Sequence, residues 1–100
     1  RKLFNKFNKF FKNSNDFFLL DEPKNCRSNF WLQTLVLKKH SQFKKNSILK
    51  ILHKNKILAR PVWKPLHKMK YLNRYPKMNL DNTKDLENRI INLPSSYYII

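Results

Sequence analysis

The sequence predicts an α/β domain of α+β character: a short sheet with helices mainly on one face. Three observations lead there. Residues 29–37 carry Phe30, Trp31, Leu32, Thr34, Leu35, Val36 and Leu37, an aromatic, aliphatic and β-branched run suited to the centre of a sheet. Residues 42–54 place Ile48, Ile51 and Leu52 at helical spacing. Residues 57–63 return to strand-type composition, so the middle of the chain reads strand, helix, strand. One hundred residues leave room for one domain at most, and a chain of that size buries only roughly 60 to 70% of its unfolded surface.

The remaining elements follow in order. In residues 1–13, Leu3, Phe4, Phe7, Phe10 and Phe11 recur every three or four positions, with Lys2, Lys6, Lys9 and Lys12 on another face. This is an amphipathic helix. Packing against a core is the favoured use of its aromatic face; the competing use, lying on an anionic membrane, gives only weak attachment for a single anchor. Asn13-Ser14-Asn15-Asp16 ends the helix with turn formers. Residues 17–20 form a short apolar strand and 21–28, polar and containing Pro23, a loop. Within 29–37, Trp31 is assigned to the core. Residues 38–41 turn the chain, and Asn55 is placed to close the helix in the left-handed conformation.

Residues 57–69 are the most distinctive stretch. Pro61 and Pro65 remove backbone donors and push the residues before them towards extended geometry, so the stretch is predicted to be extended and to lie at a sheet edge or in a connection. Arg60, Trp63, Lys64, His67 and Lys68 between apolar anchors suit a surface that meets an anionic, partly flat ligand or another subunit; the plainer reading is an edge strand with a solvated basic fringe. Residues 71–80 form a Tyr- and Asn-rich connection. Asn82 and Asp85 are placed as a loose cap for a short helix over 83–89, and 90–96 leave it extended through Pro94. Tyr97-Tyr98-Ile99-Ile100 closes the chain.

Composition narrows the function classes. Twenty-two Lys and Arg against six Asp and Glu give a formal net charge of +16, which attracts polyanions and says little about fold. Cys26 is the single cysteine, so no internal disulfide forms and a reducing, cytoplasmic setting is compatible. Apolar runs are too short to cross a bilayer, and the opening at Arg1 without methionine or signal layout suggests a piece cut from something longer. His40, His53 and His67 have no close-spaced ligand partners, so no metal site is expected. Asp21 with Glu22 and Asp85 with Glu87 point apart, and the absence of glycine removes any glycine-rich phosphate loop. No catalytic residue is assigned.

Four ordered blocks then stand out: Asp21-Glu22-Pro23 followed by Arg27-Ser28-Asn29-Phe30-Trp31-Leu32; Arg60-Pro61-Val62-Trp63-Lys64-Pro65-Leu66-His67-Lys68; Asp85-Leu86-Glu87; and Ile91-Asn92-Leu93-Pro94-Ser95-Ser96. Together they resemble the C-terminal domain of the DegT/DnrJ/StrS-type aminotransferases, pyridoxal-phosphate enzymes that aminate nucleotide-linked keto-sugars for cell-surface polysaccharide. Within these, the LegC-like enzymes are the most similar subgroup. The resemblance implies the small domain of a fold-type I aminotransferase, with 1–13 as a helix joining an upstream large domain and 14–100 as an incomplete C-terminal small domain. It also implies a homodimeric parent acting on a sugar nucleotide and an amino-acid donor. The Schiff-base lysine and the acid that pairs with the pyridinium nitrogen belong to the large domain, so this chain is expected to bind no cofactor and to be inactive alone. His67 is carried over as a polar contact to the substrate, with a structural histidine as the competing reading, and Arg60 and Lys64 as positive charges near the diphosphate. From a different class, a small basic nucleic-acid-binding module is the alternative, supported by the charge and interleaved aromatics but lacking any recognised block of such modules.

Overall fold

The computed structural model describes residues 1–96; Tyr97 to Ile100 lie outside the described residues. Three helices and four strands follow in the order α1 (Lys2–Phe11), β1 (Phe17–Leu19), β2 (Gln33–Leu37), α2 (Lys45–Lys54), β3 (Arg60–Pro61), α3 (Asp81–Glu87) and β4 (Ile90–Leu93), with two short 3₁₀ turns at Leu66–Lys68 and Lys70–Leu72. The sheet order is β1-β2-β4-β3 and every neighbouring pair is antiparallel. Strands β2 and β3, joined through α2, therefore run parallel to each other with β4 inserted between them. This is a small α+β domain, as the periodicity predicts.

Register explains why the helices share one face. Leu19 lies opposite Leu35, and Leu35 opposite Ile91, while Phe17 faces Leu37 and Gln33 faces Leu93, so these residues all project to one side of the sheet. Phe4 of α1 and Leu49 of α2 join them in a single apolar cluster with Phe30 and Ala59. The aromatic face of α1 is thus spent on the core: Phe4 is buried and stacks on Phe30 with ring centroids 4.2 Å apart. The opposite side of the sheet carries Thr34, Val36 and Asn92, with Thr34 Oγ1 donating to Asn92 Oδ1 at 3.2 Å.

Several boundaries differ from expectation, each for a local reason. The strand predicted over 29–37 begins only at Gln33. Ser28 Oγ accepts from the Phe30 amide and Asn29 Oδ1 from the Trp31 amide, both at 3.0 Å, which diverts two donors that a ladder would need. Phe30 then adopts a left-handed φ of 49°, and Gln33 Nε2 donates to its carbonyl. This turn sends Phe30 into the core and Trp31 out, 65% exposed, which corrects the assignment of Trp31 to the core. Strand β3 shrinks from 57–63 to two residues because Pro61 cannot extend the ladder. The extended geometry predicted through residue 69 ends at Pro65, whose carbonyl accepts from Lys68 N to open a 3₁₀ turn; proline's missing donor is no handicap at a helical start. Helix α3 begins before 83, and its cap is neither Asn82 nor Asp85: Asn79 Oδ1 accepts from the Asp81 amide, while Asp85 is held by Arg89.

Helix α2 starts at Lys45 rather than at 42, after Ser41 Oγ has taken the Phe43 amide. Its end carries paired bonds, Ile57 N to Leu52 O and Lys56 N to His53 O, both 2.9 Å, the pattern of a Schellman motif. Asn55 is not the left-handed residue; at φ −90° it is the cap, and its side chain donates to Ile51 O. The left-handed position falls on Lys56, with φ 61°. A β-carbon is unfavourable there, so Lys56→Gly is expected to raise stability by about 0.5 to 1 kcal/mol. Chemical denaturation of the two proteins, read by far-ultraviolet dichroism, checks it.

Candidate functional site

The segment from β3 to the 3₁₀ turns carries all three residues singled out for binding, and the fold distributes them. Arg60 is exposed on the edge strand β3, in register with Asn92 of β4. It borders an open cleft of about 580 Å³ whose walls include Leu58, Pro61, Trp63, Leu93 and Pro94. His67 lies in the first 3₁₀ turn and borders a different, more apolar cleft of about 440 Å³ between Leu66, Leu72, Tyr75, Pro76 and Leu80. Its Nε2 is buried without a hydrogen-bond partner among the described residues. Lys64 is exposed and borders neither cleft. Arg60 and His67 therefore do not share a cleft.

Of the two tryptophans, Trp63 belongs to the stretch read as a binding surface, whereas Trp31 was assigned to the core. Trp63 is 67% exposed, and its ring lies 6.2 Å from that of Trp31 at an angle of 40°. The signal available in the sequence was their setting: each sits beside turn-forming or proline residues that hold a large side chain outward, Trp31 after Ser28 and Asn29, Trp63 between Pro61 and Pro65.

Charge in the rest of the domain is used for structure. Glu22 accepts both guanidinium nitrogens of Arg1, at 2.8 and 3.2 Å, and the Ser28 amide at 2.6 Å, pinning the 21–28 loop to the start of α1. The Arg1 hydrogen bonds first, and the Ser28 amide second, push the Glu22 carboxyl from 4.5 down to about 2. A depressed carboxyl stabilises the fold above its unfolded value and loses that contribution as the pH falls through its folded value. Stability from this group is then present above pH 4.5 and disappears towards pH 2. Glu22→Gln is expected to flatten that part of the acid limb while leaving neutral-pH unfolding two-state, as thermal melts across the range would show.

Arg89 brackets Asp85, with Nη2 to Oδ2 at 2.6 Å, and donates to the Leu37 carbonyl, tying α3 to β2. Hydrogen bonding to Arg89 holds the Asp85 carboxyl below its ordinary range, and Lys68 does the same for Glu87. A third cleft, at the start of α2, is bordered by Lys38, Lys39, Lys44, Lys45 and Arg89. Lys38 and Lys45 are occupied there, donating to the carbonyls of Ser14 and Glu87. No Asp or Glu is among the residues that line the three clefts. Among the described residues no three His, Cys, Asp or Glu side chains converge on a metal position, and no helix is long and apolar enough to cross a membrane.

No curated protein matches the chain. The model of the DegT/DnrJ/EryC1/StrS aminotransferase family matches residues 1–99, which covers all the elements described above. With almost its whole length aligned to that one family, the chain belongs to the DegT/DnrJ/EryC1/StrS aminotransferases.

Proposed function

We propose that this chain is the C-terminal part of an aminotransferase that uses pyridoxal phosphate to aminate a nucleotide-linked keto-sugar, in a LegC-like branch that supplies precursors for cell-surface glycans. The family match over residues 1–99 carries the reading. Nothing in the fold or in the comparisons favours the nucleic-acid-binding alternative.

Pyridoxal phosphate does not fit the described residues. The cofactor needs a lysine for its aldehyde and an acid for its ring nitrogen. Here no Asp or Glu lines any of the three clefts, and the lysine bordering the His67 cleft, Lys77, donates to the carbonyls of Asn73 and Tyr75. The cofactor-binding part is assigned to a large domain supplied in the same polypeptide or by a complementary chain. The part described here would contribute Arg60 and Lys64 as positive charge for the diphosphate and His67 as a polar contact. The whole enzyme is proposed to be a cytoplasmic homodimer.

Two measurements test this. Incubating the chain with pyridoxal phosphate, reducing with borohydride and mapping the modified lysines should give scattered, substoichiometric labelling; one stoichiometric lysine would overturn the division of labour. Joining the chain to a lysine-bearing large domain of the family should yield a protein that converts a nucleotide keto-sugar to the amino-sugar in the presence of an amino-acid donor, read by mass. A joined protein that binds the cofactor and transfers no amine to any such substrate would sink the reading.

A further inference from the structure

We propose that the end of the domain where α1 meets the loop before α2 attaches the protein to a bilayer surface rich in anionic lipid. Phe10 and Phe43 enter the headgroup region, and Lys9, Lys12, Lys39 and Lys44 rest on the lipid charge. The attachment goes beyond the aminotransferase reading and does not depend on it.

An amphipathic helix by itself is one weak anchor. The fold sets a second beside it. Phe4 commits one side of α1 to the core, while Phe10, further along the same helix, is left 80% exposed. Phe10 meets Phe11 edge-on with ring centroids 5.0 Å apart, Phe11 lies 6.1 Å from Phe17, and Phe17 stacks on Phe43 at 5.8 Å. Four rings from α1, β1 and the loop over 38–44 thus form a continuous run with both ends open to solvent, Phe43 being 48% exposed. Ser41 Oγ accepts from the Phe43 amide and keeps that loop in a turn. Lys38 Nζ donates to the Ser14 carbonyl at 2.7 Å and His40 Nε2 to the Asn15 carbonyl at 2.8 Å, which fastens the loop to the end of α1. The two anchors are therefore preorganised and lose little freedom when they attach together.

Charge selects the partner. Lys9 and Lys12 are exposed on and just after the last turn of α1, and Lys39 and Lys44 border the same cleft as Phe43. None of the four forms an ion pair among the described residues. Asp85, the carboxylate that Lys39 influences, is held by Arg89, and Asp16 is the single acid among residues 1–20. A second copy of a chain carrying +16 would be repelled from this end. Lysines are point charges without the fixed fork of arginine, which suits a diffuse negative surface better than a phosphate or carboxylate of set geometry. Nucleic acid would need open ring faces to stack on, whereas Phe43 gives a face to Phe17 and Phe10 packs edge-to-face with Phe11. Phenylalanine carries no polar atom and suits the boundary between headgroups and acyl chains.

Flotation of the full chain with vesicles of equal parts phosphatidylcholine and phosphatidylserine tests this. The chain should rise with these vesicles and stay behind with phosphatidylcholine alone. Phe10→Ala should weaken binding about five- to ten-fold, and Phe10→Leu, which keeps hydrocarbon at the position, should restore most of it. Phe10 is exposed, so dichroism should show both variants folded. Lys39→Gln with Lys44→Gln should weaken binding about 25-fold, each lysine beside an anionic surface contributing about five-fold. Since the net charge would draw the chain to any anionic surface, Lys54→Gln with Lys56→Gln is the control for position; it removes the same charge elsewhere and should cost about two-fold or less. Trp63→Ala, which removes an exposed ring elsewhere, should change nothing.

No flotation, equal flotation with phosphatidylcholine alone, unchanged affinity in Phe10→Ala, or an equal loss in the control pair or in Trp63→Ala would each overturn the attachment. Binding to an oligonucleotide that Phe10→Ala weakens and anionic vesicles do not compete away would also overturn it, in favour of a nucleic-acid surface.

Discussion

Ile91→Ala is expected to cost about 2 to 5 kcal/mol of stability, the range for removing an aliphatic side chain from a packed core. Ile91 is fully buried and sits on β4, an inner strand, opposite Leu35 on one side and Pro61 on the other. Leu19, Leu49 and Leu93 belong to the same cluster, so the lost volume opens where both helices meet the sheet. A domain of this size has about 5 to 15 kcal/mol in total, so the variant would retain little margin near body temperature. Urea unfolding followed by dichroism should show a lower midpoint at an unchanged slope. Ile51→Ala serves as the control: Ile51 is 56% exposed, and its removal should change stability by about 0.5 kcal/mol or less.

Phe4→Ala should be comparably severe, at about 3 to 5 kcal/mol, but with a different character. Phe4 is the deepest contact of α1, and it stacks on the Phe30 ring that also receives the Arg1 guanidinium at 4.8 Å. A ten-residue helix has no independent stability in water. Without Phe4 it is expected to leave the sheet before the sheet itself opens. Limited proteolysis at Lys2, Lys6 and Lys9 should then accelerate more than the loss of overall stability accounts for. Equal acceleration at Lys50 or Lys54 would mean instead that the domain opens as one unit.

Helix α1, strand β1 and the turns around them were legible because three- and four-residue spacing and turn chemistry are local signals, and the core confirms the use of Phe4. The position of β4 was not. Ile90-Ile91-Asn92-Leu93 reads only as extended, since four residues cannot announce that they pair on both sides. Trp31 was misassigned because an outward tryptophan and an inward one differ by one dihedral angle, that of Phe30, and side-chain oxygens of Ser28 and Asn29 set it. For the site, the basic residues of 57–69 were visible as a group, but the 3₁₀ turn after Pro65 separates Arg60 from His67. Trp63 was visible as part of that group, but its approach to Trp31 was not, because the two come from segments far apart in sequence.

The inserted strand also dictates when this domain can fold. Thr34 and Asn92 are 58 residues apart in sequence yet hydrogen-bond across the middle of the sheet. Until residues 90–93 arrive, β2 lacks its long neighbour and β3 has no partner at all among the described strands. Early chain segments can gather α1 on the β1–β2 pair, but the sheet cannot close from the amino end. Loop closure over that separation raises the barrier, so refolding should be slow for a protein of this length. On the ribosome, a nascent chain with residue 93 still inside the exit tunnel would expose the apolar face of β2, making this the interval in which a chaperone that grips extended apolar segments has its best opportunity.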